Sequence, residues 1–473
     1  MKASIRLLAI AALFVVAAVL AGTAGAVTIS KPVDVTRDDT SQNETPLAVD
    51  PLNTNIMVSG SNDWQYNDGC GQYVTTDGGR SWTGALPNGF LPGVTKYTND
   101  PDVAGTGSYD AGGDPVVAFS PDGRSAYFVC QAFNFTPPYQ IQLLLNRGTV
   151  TSTGITWQTS GLTPISTWSG NGKTKGGNGQ FPDHESIDVA ADGRIYVSWA
   201  QFDGYGTHSP VLVATSVNGG RSFSAPVKVT VSNIRNNQDQ RIVTDPQGNA
   251  YLTFDNGVQG GKGTVFYVSK SIDGGATWST PIQFASLNNP VCLFPDDCFN
   301  IAGGGFRAGG TYPAPAFDPV RNRLVVAYAD INPFYGQMYV TSASANDLTK
   351  WTTPRAIAPA SADQFMGELG IAPNGRYDVS FYDREYTSNT LVDLTYATSS
   401  DGGATWSHDR VTPAGFDPSV WGVPDSSFAT GFRPFIGDYN GIVSTNDFAG
   451  MAFTGVAAPQ PFNLEVFFAK ATP

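Results

Sequence analysis

The stretch Ser271-Ile272-Asp273-Gly274-Gly275-Ala276-Thr277-Trp278 encodes one tight hairpin. The Asp carboxylate can accept hydrogen bonds from amides of its own turn, two consecutive Gly supply positive φ, and the Trp can pack beneath. The run before it, Val265-Phe266-Tyr267-Val268-Ser269-Lys270, reads as the strand entering that hairpin. The string recurs at Thr75-Thr76-Asp77-Gly78-Gly79-Arg80-Ser81-Trp82, at Ser216-Val217-Asn218-Gly219-Gly220-Arg221-Ser222-Phe223, and at Ser400-Asp401-Gly402-Gly403-Ala404-Thr405-Trp406. Internal repetition is therefore the basis of the fold.

A second repeat counts the units. Apolar run, tight turn, apolar run recurs at Asp50-Pro51, Asp122-Gly123, Asp192-Gly193, Asp245-Pro246, Asp318-Pro319, Asn374-Gly375 and Asn446-Asp447, at spacings of 53 to 73 residues. Each unit can hold a four-stranded blade with long loops, so the pattern predicts an all-β, seven-bladed β-propeller over residues 27–473. The chain ends predict its closure. Ile29-Ser30-Lys31-Pro32-Val33-Asp34-Val35-Thr36 matches Phe223-Ser224-Ala225-Pro226-Val227-Lys228-Val229-Thr230, an outer strand, and after Asn446 there is room for only two strands. The N-terminal strand should complete the last blade and remove its open edge.

Composition agrees. The chain has 53 Gly and 32 Pro among 473 residues and only 14% charged residues, which argues against coiled coils and helical bundles. A net charge of -13 argues against nucleic acid as a partner. Residues 1–26 have Lys2 and Arg6, an apolar run from Leu7 to Leu20 and a small-residue end at Ala24-Gly25-Ala26, the layout of a secretory signal peptide. The expected product is secreted, without a membrane span and monomeric. Export permits disulfides: Cys292 and Cys298 read as a loop staple, and Cys70 with Cys130 as a link between upper loops. With only three His, no metal site and no cofactor are expected.

The four hairpin strings are Asp-boxes, and the chain resembles the sialidase and BNR-repeat superfamily of β-propellers. The sialidases themselves are six-bladed, which keeps six blades as the alternative count. In this topology the Asp-boxes and the Asp-Pro or Asp-Gly turns share a lower face, and the long connections share an upper one. The inner strands then begin around the upper channel mouth with Asn43-Glu44, Gly113-Asp114, Asp183-His184-Glu185, Asp239-Gln240-Arg241, Thr311-Tyr312, Gly367-Glu368 and Asp438-Tyr439. Second strands end nearby at Asp63, Gln201, Asp255, Asp330 and Asp383-Arg384.

The resemblance implies a hydrolase of terminal acidic sugars, sialic acid first. Tyr439 would be the nucleophile, Glu368 its activating base and Asp68 the acid/base, with Arg241, Arg384 and Arg433 clamping the substrate carboxylate. One departure concerns the clamp: Glu44-Thr45-Pro46 stands where the family has Arg-Ile-Pro. Two other functions stay open. A polysaccharide lyase on uronic-acid glycans would use Tyr439 or His184 as base; a non-catalytic propeller would bind carbohydrate or protein, its acidic ring favouring cations or neutral ligands.

Overall fold

The computed structural model describes residues 27–473 except 38, 65, 85, 87–88, 137–138, 170–179, 204–207, 257–264, 289–305, 307–310, 420–421, 425–430 and 457–463. The expected signal peptide and the Cys292 to Cys298 loop lie outside the described residues. The protein is a seven-bladed β-propeller: seven antiparallel sheets of four or five strands stand in chain order, beside a small ribbon of Val423–Pro424 and Phe432–Arg433. The inner strands of blades 1 to 7 are Leu47–Val49, Ala111–Phe119, Gln180–Val189, Asn237–Thr244, Ala314–Asp318, Gln364–Ile371 and Gly441–Ser444. Among the described residues no helix is long and apolar enough to cross a membrane.

The hairpin strings act as their chemistry dictates. Asp77 Oδ1 accepts the amides of Arg80 and Ser81 at 2.9 and 3.0 Å, and the Ser81 hydroxyl donates to Oδ2 at 2.7 Å. Hydrogen bonds from the Thr277 side chain and amide pull the Asp273 carboxyl down to about 2. Gly79 has φ 87°, and a Cβ there would sit 2.1 Å from the Phe468 ring of blade 7, so the turn needs glycine twice over. Trp82 packs on that same ring, 5.3 Å between centroids. Each such turn thus joins its own hairpin to the neighbouring blade.

The core lies between blades rather than in one centre. Val58 and Val74 of blade 1 pack with Phe128 and Trp157 of blade 2, and Val129 and Leu143 of blade 2 pack with Val197 and Trp199 of blade 3. The ring closes at its ends: Thr28–Ile29 and Val33–Asp34 pair antiparallel with Leu464–Thr472, the third strand of blade 7, and lie outside it. A Cys70–Cys130 disulfide spans blades 1 and 2 over 60 residues of sequence. Constraining a loop of that length stabilises by about 4 kcal/mol in the chain-entropy account. The Cys70→Ala/Cys130→Ala variant should therefore unfold at distinctly lower urea concentration. An unchanged midpoint would show that blade packing alone holds this junction.

The inner strands share a device that no repeat in the sequence announces. Glu44, Asp114, His184, Asp239 and Met366 all have φ between 51° and 59°, at the upper ends of blades 1, 2, 3, 4 and 6. At four of them the register with the second strand shifts: Gly113/Val116, Asp183/Ser186, Gln238/Arg241 and Phe365/Glu368. These bulges place non-glycine residues in the left-handed region, a strained state that surrounding contacts must hold. Four of the five carry an ionisable side chain.

Candidate active site

The bulges turn side chains into the upper channel, where they form a network that crosses it. His184 of blade 3 has Nδ1 2.8 Å from Asp239 Oδ1 of blade 4, an ion pair too poorly aligned for a hydrogen bond. Its Nε2 lies 3.6 Å from Asp438 Oδ2, just before blade 7. The Arg241 guanidinium lies between two aromatic faces, 5.3 Å from the Tyr312 centroid and 5.1 Å from that of Tyr439. It also approaches Glu368 Oε1 at 3.9 Å, and the Tyr312 hydroxyl donates to the same oxygen at 2.9 Å. Tyr439 instead donates to the Pro115 carbonyl at 2.9 Å. Asn62 Nδ2 donates to Glu44 Oε2 at 2.6 Å, and its Oδ1 accepts the Asp114 amide at 2.6 Å.

Burial sets the protonation states. Burial pushes the Asp183 carboxyl up to about 7; His184 opposes this, and Asp114 and Asp438 add to it. Glu185 is also raised by burial, with Asp114 adding, and neither of its carboxyl oxygens has a hydrogen-bond partner among the described residues. Asp255 is raised by burial and by Asp239. Burial works to lower the His184 pKa, but the carboxylates of Asp239 and Asp183 outweigh it and hold the imidazolium. Glu368 is raised by burial while Arg241 and Tyr312 pull it back. Burial and the acidic neighbours Glu44 and Asp114 keep the Tyr439 phenol neutral, and burial with Glu368 does the same for Tyr312.

Of the residues singled out in the sequence, the structure brings Glu368, Tyr439, Arg241 and His184 into this network. Glu368, however, is hydrogen-bonded to Tyr312 rather than Tyr439. Blades 5 and 7 both flank blade 6, but the Tyr312 hydroxyl reaches Glu368 whereas the Tyr439 hydroxyl is taken by the Pro115 carbonyl of blade 2. Arg384 is buried and donates from Nη2 to the Thr390 carbonyl at 2.7 Å, with Asp363 and Asp417 as its acidic neighbours. Arg433 sits in the short ribbon with Val423. Arg241 faces the network through Tyr312, Tyr439 and Glu368. Asp68 accepts the Gly112 amide on its backbone carbonyl at 3.2 Å, and burial raises its carboxyl pKa. Sequence reasoning placed Asp183, Tyr312, Asp239 and Asp438 at the mouth without giving them roles. Among the described residues no three His, Cys, Asp or Glu are grouped to hold a metal ion.

No family model matches the chain, and no curated protein matches it. Among solved structures, a protein of unknown function from Dyadobacter fermentans DSM 18053 is similar at 11% identity, covering 95% of this chain and 100% of that one, with a TM-score of 0.50. An ulvan lyase of polysaccharide lyase family PL25, bound to a glucuronic acid–sulfated rhamnose unit, matches at 12% identity over 92% of this chain and 95% of its own, TM-score 0.48. A Penicillium chrysogenum α-L-arabinanase complexed with arabinobiose matches at 16% identity over 61% and 92%, TM-score 0.40. At such identities the likeness is one of fold.

Proposed function

We propose that the upper channel mouth is the active site of an exported glycoside hydrolase acting on neutral sugars, with Asp183 as general acid and Glu368 as the catalytic carboxylate. The observation that carries this reading is the contrast between two carboxyls of one network. The Asp183 carboxyl is pushed up to about 7 by burial, with Asp114 and Asp438 adding and His184 opposing, whereas Glu368, also raised by burial, is pulled back by the Arg241 cation and the Tyr312 phenol donor. Environments that push two carboxyl pKa values apart assign the acid and the base. Asp183 gives its proton to the glycosidic oxygen as the bond breaks. Glu368 supplies the electron pair, either to the anomeric carbon or to a proton of the attacking water. The signal-like N-terminus supports export.

Charge supports the neutral sugar. Glu44, Asp114, Asp239, Glu368 and Asp438 stand around Arg241 and His184, so acidic side chains outnumber these two cations even with the buried Asp183, Glu185 and Asp255 left out, a field that repels an anionic substrate. The second reading has its own observation: the Tyr312 to Glu368 hydrogen bond beside Arg241 is the arrangement of a Tyr nucleophile acting on an acidic sugar. A panel of neutral 4-nitrophenyl glycosides, a fluorogenic sialoside and a uronic-acid polymer separates them. Release from a neutral glycoside is expected. Cleavage of the sialoside alone, lost in Tyr312→Phe, would replace the first reading with the second, and unsaturated products from the polymer would make the protein a lyase.

A further inference from the structure

The large apolar side chains exposed to solvent sort by chemistry between the two faces. Leu52, Val217, Ile272 and Val320 are aliphatic and sit in lower-face turns, whereas Tyr66, Tyr97, Phe135 and Phe334 are aromatic and sit in upper-face loops, 43 to 83% exposed. Solitary exposed aliphatics are ordinary. Four rings gather on the face that carries the ionisable network, and they stay 43% or more exposed even though Phe135 also meets Phe133, 5.4 Å between centroids.

Three of the rings are held by a cross-linked set of loops. Asn67, next to Tyr66, donates to the Thr98 carbonyl, next to Tyr97, at 2.7 Å. Lys96, on the other side of Tyr97, pairs with Asp110 at 2.8 Å, and the other oxygen of Asp110 accepts the Phe135 amide at 2.9 Å. The Cys70–Cys130 disulfide ties blades 1 and 2 beneath them. The fourth ring, Phe334, tops a turn in which Asn332 Oδ1 accepts the Phe334 and Tyr335 amides, both at 2.8 Å. It belongs to blade 5, which in a ring of seven stands across the axis from blades 1 and 2.

We infer that these rings are stacking platforms for a neutral polysaccharide that lies across the upper face, from Phe334 over the axial network to Tyr66, Tyr97 and Phe135. A sugar ring presents an apolar C–H face and a polar edge, so it matches separate, exposed aromatics on hydrogen-bonded loops in polar surroundings. A protein partner would call for a contiguous apolar patch. The acidic network and a chain charge of -13 disfavour an anionic polymer. Preorganised loops lose little entropy when they bind. This inference deepens the proposed function by naming a polymeric substrate, and it rests on that reading for the site of cleavage but not for binding.

Affinity electrophoresis in gels containing galactomannan, xyloglucan or arabinan, with heparin as the anionic counterpart, tests it on the Asp183→Asn protein so that the polymer stays intact. At least one neutral polysaccharide should retard the protein. Phe334→Ala, and Tyr66→Ala with Phe135→Ala, should each weaken that binding about tenfold. Val217→Ala with Ile272→Ala on the lower face should leave it unchanged. Retardation by none of the neutral polymers, stronger retardation by heparin, or retardation that survives all the aromatic substitutions would overturn the inference. Ring-dependent binding by a protein that cleaves none of the small glycosides would uphold it while removing the hydrolase reading.

Discussion

Asp183→Asn is expected to lower kcat on a neutral glycoside with a poor leaving group by about 10²–10⁴-fold, the usual worth of a positioned acid. A 4-nitrophenyl glycoside should suffer much less, because nitrophenolate departs without a proton. Glu368→Gln should disable both substrates, since its electron pair is needed whatever leaves. The pH profile carries the same signature. Asp183 must be protonated to act, and its carboxyl is pushed up to about 7, so activity should fall as pH rises through that region. In Asp183→Asn the residual activity should lose this alkaline limb. A variant that keeps both its rate on poor leaving groups and its alkaline limb would remove Asp183 from the mechanism. Thermal melting of each variant separates lost chemistry from lost fold.

What the sequence displays and what it hides divide along sequence distance. The turn at Asp273 is legible because every group that builds it lies within a few residues, and Ser271, Asp273 and Thr277 bond one another as their spacing predicts. The closing strand is legible because residues 29–36 copy residues 223–230. The Cys70–Cys130 link follows once both cysteines are placed at upper loop ends. The partners of the axial side chains are another matter. Tyr312 and Tyr439 are both Tyr at the start of an inner strand, and which one meets Glu368 depends on blades folding around a common axis. The left-handed backbone at Glu44, Asp114, His184 and Asp239 gives no sign either, since glycine, the usual marker, is absent from these positions. The partners of Arg384, the Thr390 carbonyl with Asp363 and Asp417 nearby, are likewise set by loops whose packing no motif describes.

Deleting residues 27–36 is expected to abolish the native fold rather than trim it. The segment supplies the outermost strand of blade 7, with Thr28 opposite Thr472, Ile29 opposite Ala471, Val33 opposite Phe468 and Asp34 opposite Phe467. Hydrogen bonds from the Ser30 amide to the Lys470 carbonyl and from the Val35 amide to the Val466 carbonyl, each 2.8 Å, continue the pairing. Val35 is buried with Met57, Tyr73, Val466 and Phe468, so the strand also fills the junction between blades 7 and 1. Burying one such Val stabilises by about 1.5–3 kcal/mol, on the order of a fifth of a typical domain's whole stability. Without the segment, the Leu464–Thr472 strand becomes an unpaired edge carrying two phenylalanines, a template for association with other chains. Closure joins the two ends of the described chain, so it bears the largest loop-closing entropy of any blade and gains nothing until the other blades are in place. The truncated protein should be found in aggregates, or in solution without a cooperative urea transition. Val35→Asp, which leaves the backbone pairing possible but buries a carboxylate among apolar side chains, should lower the urea midpoint of the full-length chain. A truncated protein that stays monodisperse and unfolds at the full-length midpoint would show that the ring holds without its closing strand.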